Sequence, residues 1–332
     1  MALSNNALRI HRHPTVRNHG HNRDKIREKK RNRDTSGSSG GAYGGDAVPA
    51  RKQPSELIWY RGVELIKRPL KIFVLFAFCV CAMLFVPATV EANSFDRSRL
   101  SDGLLGITYT GTFERGIRIM VQKTGDTAVY QYAVTTNEKF YIPLQIGDGE
   151  YRVMLLRNIQ GQEYSVIMSQ TMNVRITDPH AKFLTASPIV NFRPNSQTIR
   201  SYTRMLHGIE DNRGRLNAVY VDLVETYSYD HEKANNIPAN YVPVIDEIYR
   251  SRLAICYDYS AVFASVLRYK GIPTRLVMGF APGIAAFHAW NEVYIDGRWI
   301  VIDTTYDSAF FHAGHPYSME KDGSLFRVVR VY

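Results

Sequence analysis

Cysteine is scarce in this chain of 332 residues, which contains only three copies. Two of them, Cys79 and Cys81, lie in one apolar run, so Cys256 is the single thiol of the downstream region. One thiol cannot build a disulfide framework or a cysteine-rich metal site there. The region also offers no calcium-type loop, and its histidines are too few to favour a zinc site. The sequence therefore predicts neither a metal nor a cofactor.

A surplus of positive charge is missing from most of the chain as well. The formal net charge is +10, but residues 1–71 hold 16 Lys and Arg against 6 Asp and Glu, whereas residues 72–332 hold 25 of each group. Phosphate binding requires a concentrated basic surface on a folded domain. The sequence therefore predicts no nucleic-acid partner.

Residues 1–70 form a basic leader rich in His, Arg, Asn, Ser and Gly, which cannot bury enough apolar surface to offset the entropy of ordering. We expect this leader to be disordered. Residues 71–92 have a positive flank, an apolar centre and small residues before a cleavage site after Ala92, as in an export signal.

The apolar centre leaves two outcomes open. Residues 72–90 fall just short of the ~20 residues that span a bilayer, so a cleaved signal peptide and a retained membrane anchor are both consistent with the sequence. In either case we expect residues 93–332 to lie outside the cytoplasm, secreted or anchored to the cell membrane.

Residues 100–177 show short runs of β-forming residues separated by Gly, Asp and Asn, which predicts a small antiparallel sandwich or meander. Gly147-Asp148-Gly149 is better explained by a hairpin turn than by a phosphate or calcium site. A spacer or binding module without chemistry is the preferred interpretation. The predicted strands are Ile107–Tyr109, Ile117–Lys123, Ala128–Val134, Phe140–Gln145, Tyr151–Arg157 and Tyr164–Met168.

Residues 178–195 contain three prolines among polar residues and are predicted to form a linker. The region 196–332 then begins with apolar residues at helical spacing between residues 216 and 227, which predicts a helix with one buried face.

Cys256 opens a second helical pattern, which stops at Gly271 and Pro273. The thiol is therefore predicted at a helix N-terminus, where free backbone N–H groups and the helix dipole favour a thiolate. The same N–H groups can stabilise an oxyanion. A buried, inert cysteine is the alternative interpretation when Cys256 is considered alone.

Asp296-Gly297 lies between two β-forming runs and predicts a two-residue hairpin. That turn places Trp290 opposite Asp303, and His288 shares their face at about 7–8 Å between backbones. An imidazole and a carboxylate can meet across that distance. The sequence thus predicts a nucleophile, a base and a carboxylate that orients the base. The predicted strands are Arg275–Phe280, His288–Ile295 and Arg298–Asp303.

The segments that contain Cys256, His288 and Asp303, together with the blocks beside them, resemble the transglutaminase-like domain of the papain-like cysteine superfamily over roughly residues 195–310. The resemblance implies an α+β fold, with N-terminal helices packed on an antiparallel sheet, here preceded by a small all-β domain. It also implies that Cys256 is the nucleophile, His288 the base and Asp303 its orienting partner. One departure is Ala254, where the family usually has glycine. The blocks that carry the resemblance are Tyr227–Asp230, Cys256–Ser260, Leu267–Arg275, His288–Val293 and Trp299–Thr305.

The function expected from the triad and the resemblance is acyl transfer through a thioester, by an exported enzyme that acts on peptide or glutamine-type amide bonds. The expected partners are protein or peptide substrates, with cell-wall peptides the natural guess outside the cell, and the membrane through residues 72–90 if the signal is uncleaved. Transglutaminase, peptidase and amidase activities all stay open, because the sequence does not choose between an amine and water as acceptor. The alternative is a non-enzymatic cell-surface binding or assembly protein with the same fold.

Overall fold

The computed structural model describes residues 10–11, 92–238 and 240–332. Most of the predicted leader and of the apolar run at 71–92 lies outside these residues. Within the described ranges, no helix has both the length and the apolar character needed to cross a membrane.

The first part of the described chain consists of two packed β-sheets. The smaller has strand order β2-β3-β6, and the larger has strand order β1-β8-β7-β4-β5. All pairings are antiparallel except that of the two-residue strand β1 with β8. The strands are β1 (Ile10–His11), β2 (Ser94–Asp96), β3 (Leu104–Thr108), β4 (Ile117–Lys123), β5 (Val129–Val134), β6 (Phe140–Pro143), β7 (Gly149–Gln160) and β8 (Glu163–Val174).

One apolar core holds the two sheets together. It contains Ile107 and Ile142 from the smaller sheet and Ile119 and Val153 from the larger one. Buried and partly buried side chains alternate along β5, as expected for one layer of a sandwich. All six predicted strands of this region are confirmed, whereas β2 was not predicted.

The prediction of a hairpin turn at residues 147–149 is wrong. The strand before this turn, β6, pairs with β3, whereas the strand after it, β7, pairs with β4 and β8 in the other sheet. The turn therefore carries the chain between layers, and Asp148 closes it by accepting a 2.8 Å hydrogen bond from the backbone N–H of Ile176.

Residues 178–195 pack against the second part of the molecule. The ring of His180 lies 4.2 Å from that of Tyr294, and Phe183 makes an edge contact with Trp299 at 5.6 Å. Val190 is fully buried beside Ala261 and Leu276.

The second part combines helices with a five-stranded antiparallel sheet of order β14-β13-β12-β11-β15. Helix α5 lies on this sheet, and its apolar face shares a core with Val293, Ile300 and Ile302. The helices are α1 (Gln197–Met205), α2 (Asn212–Thr226), α3 (His231–Asn236), α4 (Ile245–Ser251), α5 (Cys256–Tyr269) and α6 (Thr304–His312). The strands are β9 (Ser228–Tyr229), β10 (Leu253–Ala254), β11 (Thr274–Phe280), β12 (His288–Ile295), β13 (Arg298–Ile302), β14 (Glu320–Lys321) and β15 (Arg327–Val331), of which β9 and β10 form a separate parallel pair. The predicted α+β fold class, with an all-β region before the helix-and-sheet region, is confirmed.

Candidate active site

Cys256 is the first residue of α5, as the sequence predicted. The preceding residue, Ile255, has extended backbone angles (φ −93°, ψ 172°), so the helix begins abruptly at the cysteine. The first N–H groups of a helix have no partner within it and point out of its N-terminus. The half-buried thiol therefore lies beside donors that favour an anion.

A buried carboxylate fixes this helix start. Asp258, which is inaccessible to solvent, accepts hydrogen bonds from the backbone N–H of Ile255 (3.1 Å), from Lys233 Nζ (2.7 Å) and from Tyr241 Oη (2.6 Å). A third-position acid that bonds the N-cap N–H is a common device at helix starts. Here it also ties residues 233 and 241 to the helix that carries the thiol.

His288 and Asp303 come together as the hairpin predicted. The turn residues Asp296 and Gly297 both have positive φ angles, 51° and 77°, as a type I′ turn requires. The register that follows from this turn, with Ile295 opposite Arg298, is confirmed along the ladder.

The imidazole and the carboxylate form a buried hydrogen-bonded pair. His288 Nε2 lies 2.8 Å from Asp303 Oδ2, and the two residues are only 5% and 1% exposed. Because Nε2 faces the carboxylate, Nδ1 is the ring nitrogen left to interact with Cys256, whose influence is among the causes that raise the pKa of His288. The three predicted residues therefore form one connected set.

The charges of this set favour a protonated imidazole. Burial alone would lower the pKa of His288, but the hydrogen bonds of Asp303 and Cys256, together with their negative charges, raise it from 6.5 to about 10. Such a shift by charged partners is typical of a catalytic ion pair.

Asp303 has a second structural role. It is the N-cap of α6, and its Oδ1 accepts a 3.0 Å hydrogen bond from the backbone N–H of Tyr306. One carboxylate oxygen thus holds the following helix while the other contacts His288. Because each oxygen has its own partner, the carboxylate is held in one orientation.

An aromatic wall closes the site on the strand face that carries His288. The Trp290 ring stacks beside the imidazole with centroids 6.4 Å apart and an interplanar angle of 22°, and Phe326 packs on Trp290 at 5.0 Å. A low-polarity wall excludes water and strengthens the charge interactions behind it.

Two buried polar residues of the site were not identified from the sequence. Asp258 is an acid at the third position of α5, where a carboxylate commonly caps a helix, so its capping role could have been predicted from the sequence. Asn291 donates hydrogen bonds to Ser260 and Arg275 across the sheet and helix, and no local pattern indicates such contacts. Ala254, the departure from the family pattern, is fully buried in the apolar core of this region.

Part of the sequence is similar to one family model and to two curated proteins. A family model described as "Transglutaminase-like superfamily" matches residues 200–304. Kyphoscoliosis peptidase of Mus musculus is 29% identical over 104 residues and that of Homo sapiens 28% identical over 104 residues. Each match covers 28% of this chain, but the chain spans only 16% of the length of these relatives.

Solved structures give weaker similarity. A candidate cysteine protease from Cytophaga hutchinsonii is 14% identical with a TM-score of 0.33, covering 57% of this chain and 72% of that chain.

Proposed function

We propose that this chain, whose residues 200–304 are a transglutaminase-like domain, is a cysteine-dependent acyl-transfer enzyme. The observation that supports the proposal most directly is the buried His288–Asp303 hydrogen bond, with Cys256 at the start of a helix and interacting electrostatically with the same imidazole. In this proposal Cys256 is the nucleophile, His288 the proton carrier and Asp303 the group that orients it.

The first half of the reaction forms a thioester. Once the proton of the Cys256 thiol has passed to His288, the sulfur attacks the carbonyl carbon of a peptide or glutamine-type amide. The carbonyl π electrons move onto the oxygen, and the N–H groups at the start of α5 stabilise that oxyanion. When the tetrahedral intermediate collapses, the C–N bond breaks and the amine or ammonia leaves with the proton from Nδ1 of His288.

The second half releases the acyl group. Neutral His288 takes a proton from the acceptor, the acceptor attacks the thioester carbon, and the C–S bond breaks to restore the thiolate and the imidazolium. Water as acceptor gives hydrolysis, and a primary amine gives a new amide bond. Throughout the cycle Asp303 keeps Nε2 protonated and offsets the charge of the imidazolium.

The proposed substrates are proteins or peptides. The name of the curated relatives, a peptidase, supports substrates of this class. The export-type segment at residues 71–92 supports a location outside the cytoplasm, with cell-wall peptides among the substrates. Reporter enzymes fused after residue 332 test the location. A reporter that is active only outside the cytoplasm should be active in the fusion, and activity of a reporter that works only in the cytoplasm would contradict the proposed location.

The reaction is tested by intact-mass analysis of glutamine-containing peptides incubated with the full chain, with and without a primary amine. A peptide that gains the amine would support acyl transfer to an amine. A cleaved peptide, or a peptide with the mass increase of deamidation, would support acyl transfer to water. The Cys256→Ala variant is the control and should yield none of these products. If no peptide changes and iodoacetamide modifies Cys256 no faster than free cysteine, the chain is instead a binding or assembly protein.

A further inference from the structure

Asn291 is a buried amide at the centre of the candidate site's scaffold. It is fully inaccessible to solvent and lies on β12, three residues after His288. On the neighbouring strand it is paired with Ile302, the residue immediately before Asp303. Its backbone therefore lies within three residues of the base along β12 and is paired with the residue next to the orienting acid.

The side chain of Asn291 reaches the element that carries the nucleophile. Its Nδ2 donates a 3.0 Å hydrogen bond to the main-chain oxygen of Ser260 and a 3.1 Å hydrogen bond to that of Arg275. Ser260 lies on α5 about one helical turn after Cys256. One amide group thus joins the thiol-bearing helix to the adjacent strands β11 and β12.

The core between α5 and the sheet is largely apolar. Residues Val262, Val293 and Ile302 belong to the core shared by α5 and the sheet. Apolar contacts are not directional, so they allow a helix to slide or turn slightly on a sheet, whereas buried hydrogen bonds fix one geometry. Asn291 Oδ1 is itself buried without a hydrogen-bond partner among the described residues, which is unfavourable for stability.

We propose that Asn291 is a positioning residue that sets the distance between the Cys256 sulfur and the His288 imidazole. This inference rests on the proposed acyl-transfer function. The hydrogen bond from Asn291 Nδ2 to Ser260 holds α5 in one position along β12, and the bond to Arg275 holds the amide itself against β11, so that the helix start and the imidazole meet. The buried amide, whose Oδ1 has no partner among the described residues, is explained if it supplies this alignment.

The test uses Asn291→Leu, which keeps the branched shape of the side chain and removes both N–H donors. Thr274→Val is the matched control, because Thr274 is also fully buried on this sheet but its hydroxyl donates only to the nearby Ile272. For the full-length wild type and both variants, the rate of iodoacetamide modification of Cys256 is measured from pH 5 to pH 10, together with the unfolding temperature.

In Asn291→Leu we expect modification near pH 6 to slow by about tenfold or more, since small misplacements of reacting groups have effects of this size. The loss of two donors to main-chain oxygens should lower the unfolding temperature, with the variant still folded at the assay temperature, and Thr274→Val should keep the wild-type pH profile. If Asn291→Leu does not fold, Asn291→Ala removes the same donors without adding volume.

A folded Asn291 variant with the wild-type pH profile would overturn the positioning role. That outcome is distinct from failure of the proposed function. In the latter case the wild type itself would react slowly near pH 6, and its rate would not depend on His288.

Discussion

Asp303 contacts His288 with one carboxylate oxygen and caps α6 with the other. Oδ2 lies 2.8 Å from His288 Nε2, and Oδ1 accepts the N–H of Tyr306 at 3.0 Å. The proposed chemical role and the structural role of this residue therefore depend on different atoms, and mutations can separate them.

Asp303→Asn should keep the helix cap, because its amide oxygen still accepts the N–H of Tyr306. It should lose about 10²–10⁴-fold in kcat, since a neutral amide cannot balance an imidazolium. Asp303→Ala should lose similar activity and a further ~0.5–2 kcal/mol in the free energy of unfolding, measured in urea. Equal stability of the two variants would show that the cap contributes nothing.

The protonation of His288 predicts a specific dependence of stability on pH. Its pKa is raised from 6.5 to about 10 in the folded protein by Asp303 and Cys256, against the effect of burial. A raised pKa means that the folded state binds the proton more tightly. The stabilisation is therefore complete below about pH 6.5 and is lost as the pH rises through about 10.

The difference in free energy of unfolding between the wild type and His288→Gln isolates this effect. We expect the difference to shrink steadily from pH 6.5 to pH 10. A constant difference across that range would mean that the imidazole is neutral in the folded protein.

Gly279 is required by a close approach of strands near the aromatic wall. A Cβ atom there would lie 2.1 Å from the main-chain oxygen of Arg327 and 2.9 Å from Trp290 Cη2. Gly279→Ala should therefore displace β15 or the indole and destabilise the protein by about 1–3 kcal/mol. Gly116→Ala is the control, because a Cβ atom at residue 116 would lie no closer than 3.9 Å to its nearest neighbour, Cβ of Asn158. Equal denaturation midpoints for both variants would contradict this packing.

Arg268 joins the helix, the sheet and residues 178–195. This 2% exposed guanidinium donates to the main-chain oxygens of Thr274, Thr185 and Tyr332, and burial lowers its pKa to about 9. Arg268→Met should destabilise the protein by about 1–3 kcal/mol for each acceptor left without a donor. Arg200→Met, at an exposed helix position, should have little effect in the same thermal unfolding experiment.

The parts that could be predicted from the sequence depend on short-range signals. Asp296-Gly297 fixes its hairpin and its register through two adjacent residues, and the helix at Cys256 follows from local periodicity and stop signals. These signals were enough to bring His288 beside Asp303.

The parts that could not be predicted depend on contacts distant in sequence. The turn at residues 147–149 has the composition of a hairpin, but pairing with β3 and β4 assigns its two strands to different sheets. Asp258 meets Lys233 and Tyr241 from a separate segment, and the amide of Asn291 meets α5 from across the core. Such contacts leave no periodic trace in the chain.

The most direct measurement of the proposed ion pair is the rate at which iodoacetamide modifies Cys256 near pH 6, compared between the wild type and His288→Ala. We expect fast modification of the wild type, because the imidazolium maintains the thiolate, and a rate at least about tenfold lower in the folded variant. A wild-type rate no higher than that of free cysteine, or equal rates in the two proteins, would contradict a catalytic role for Cys256 and His288.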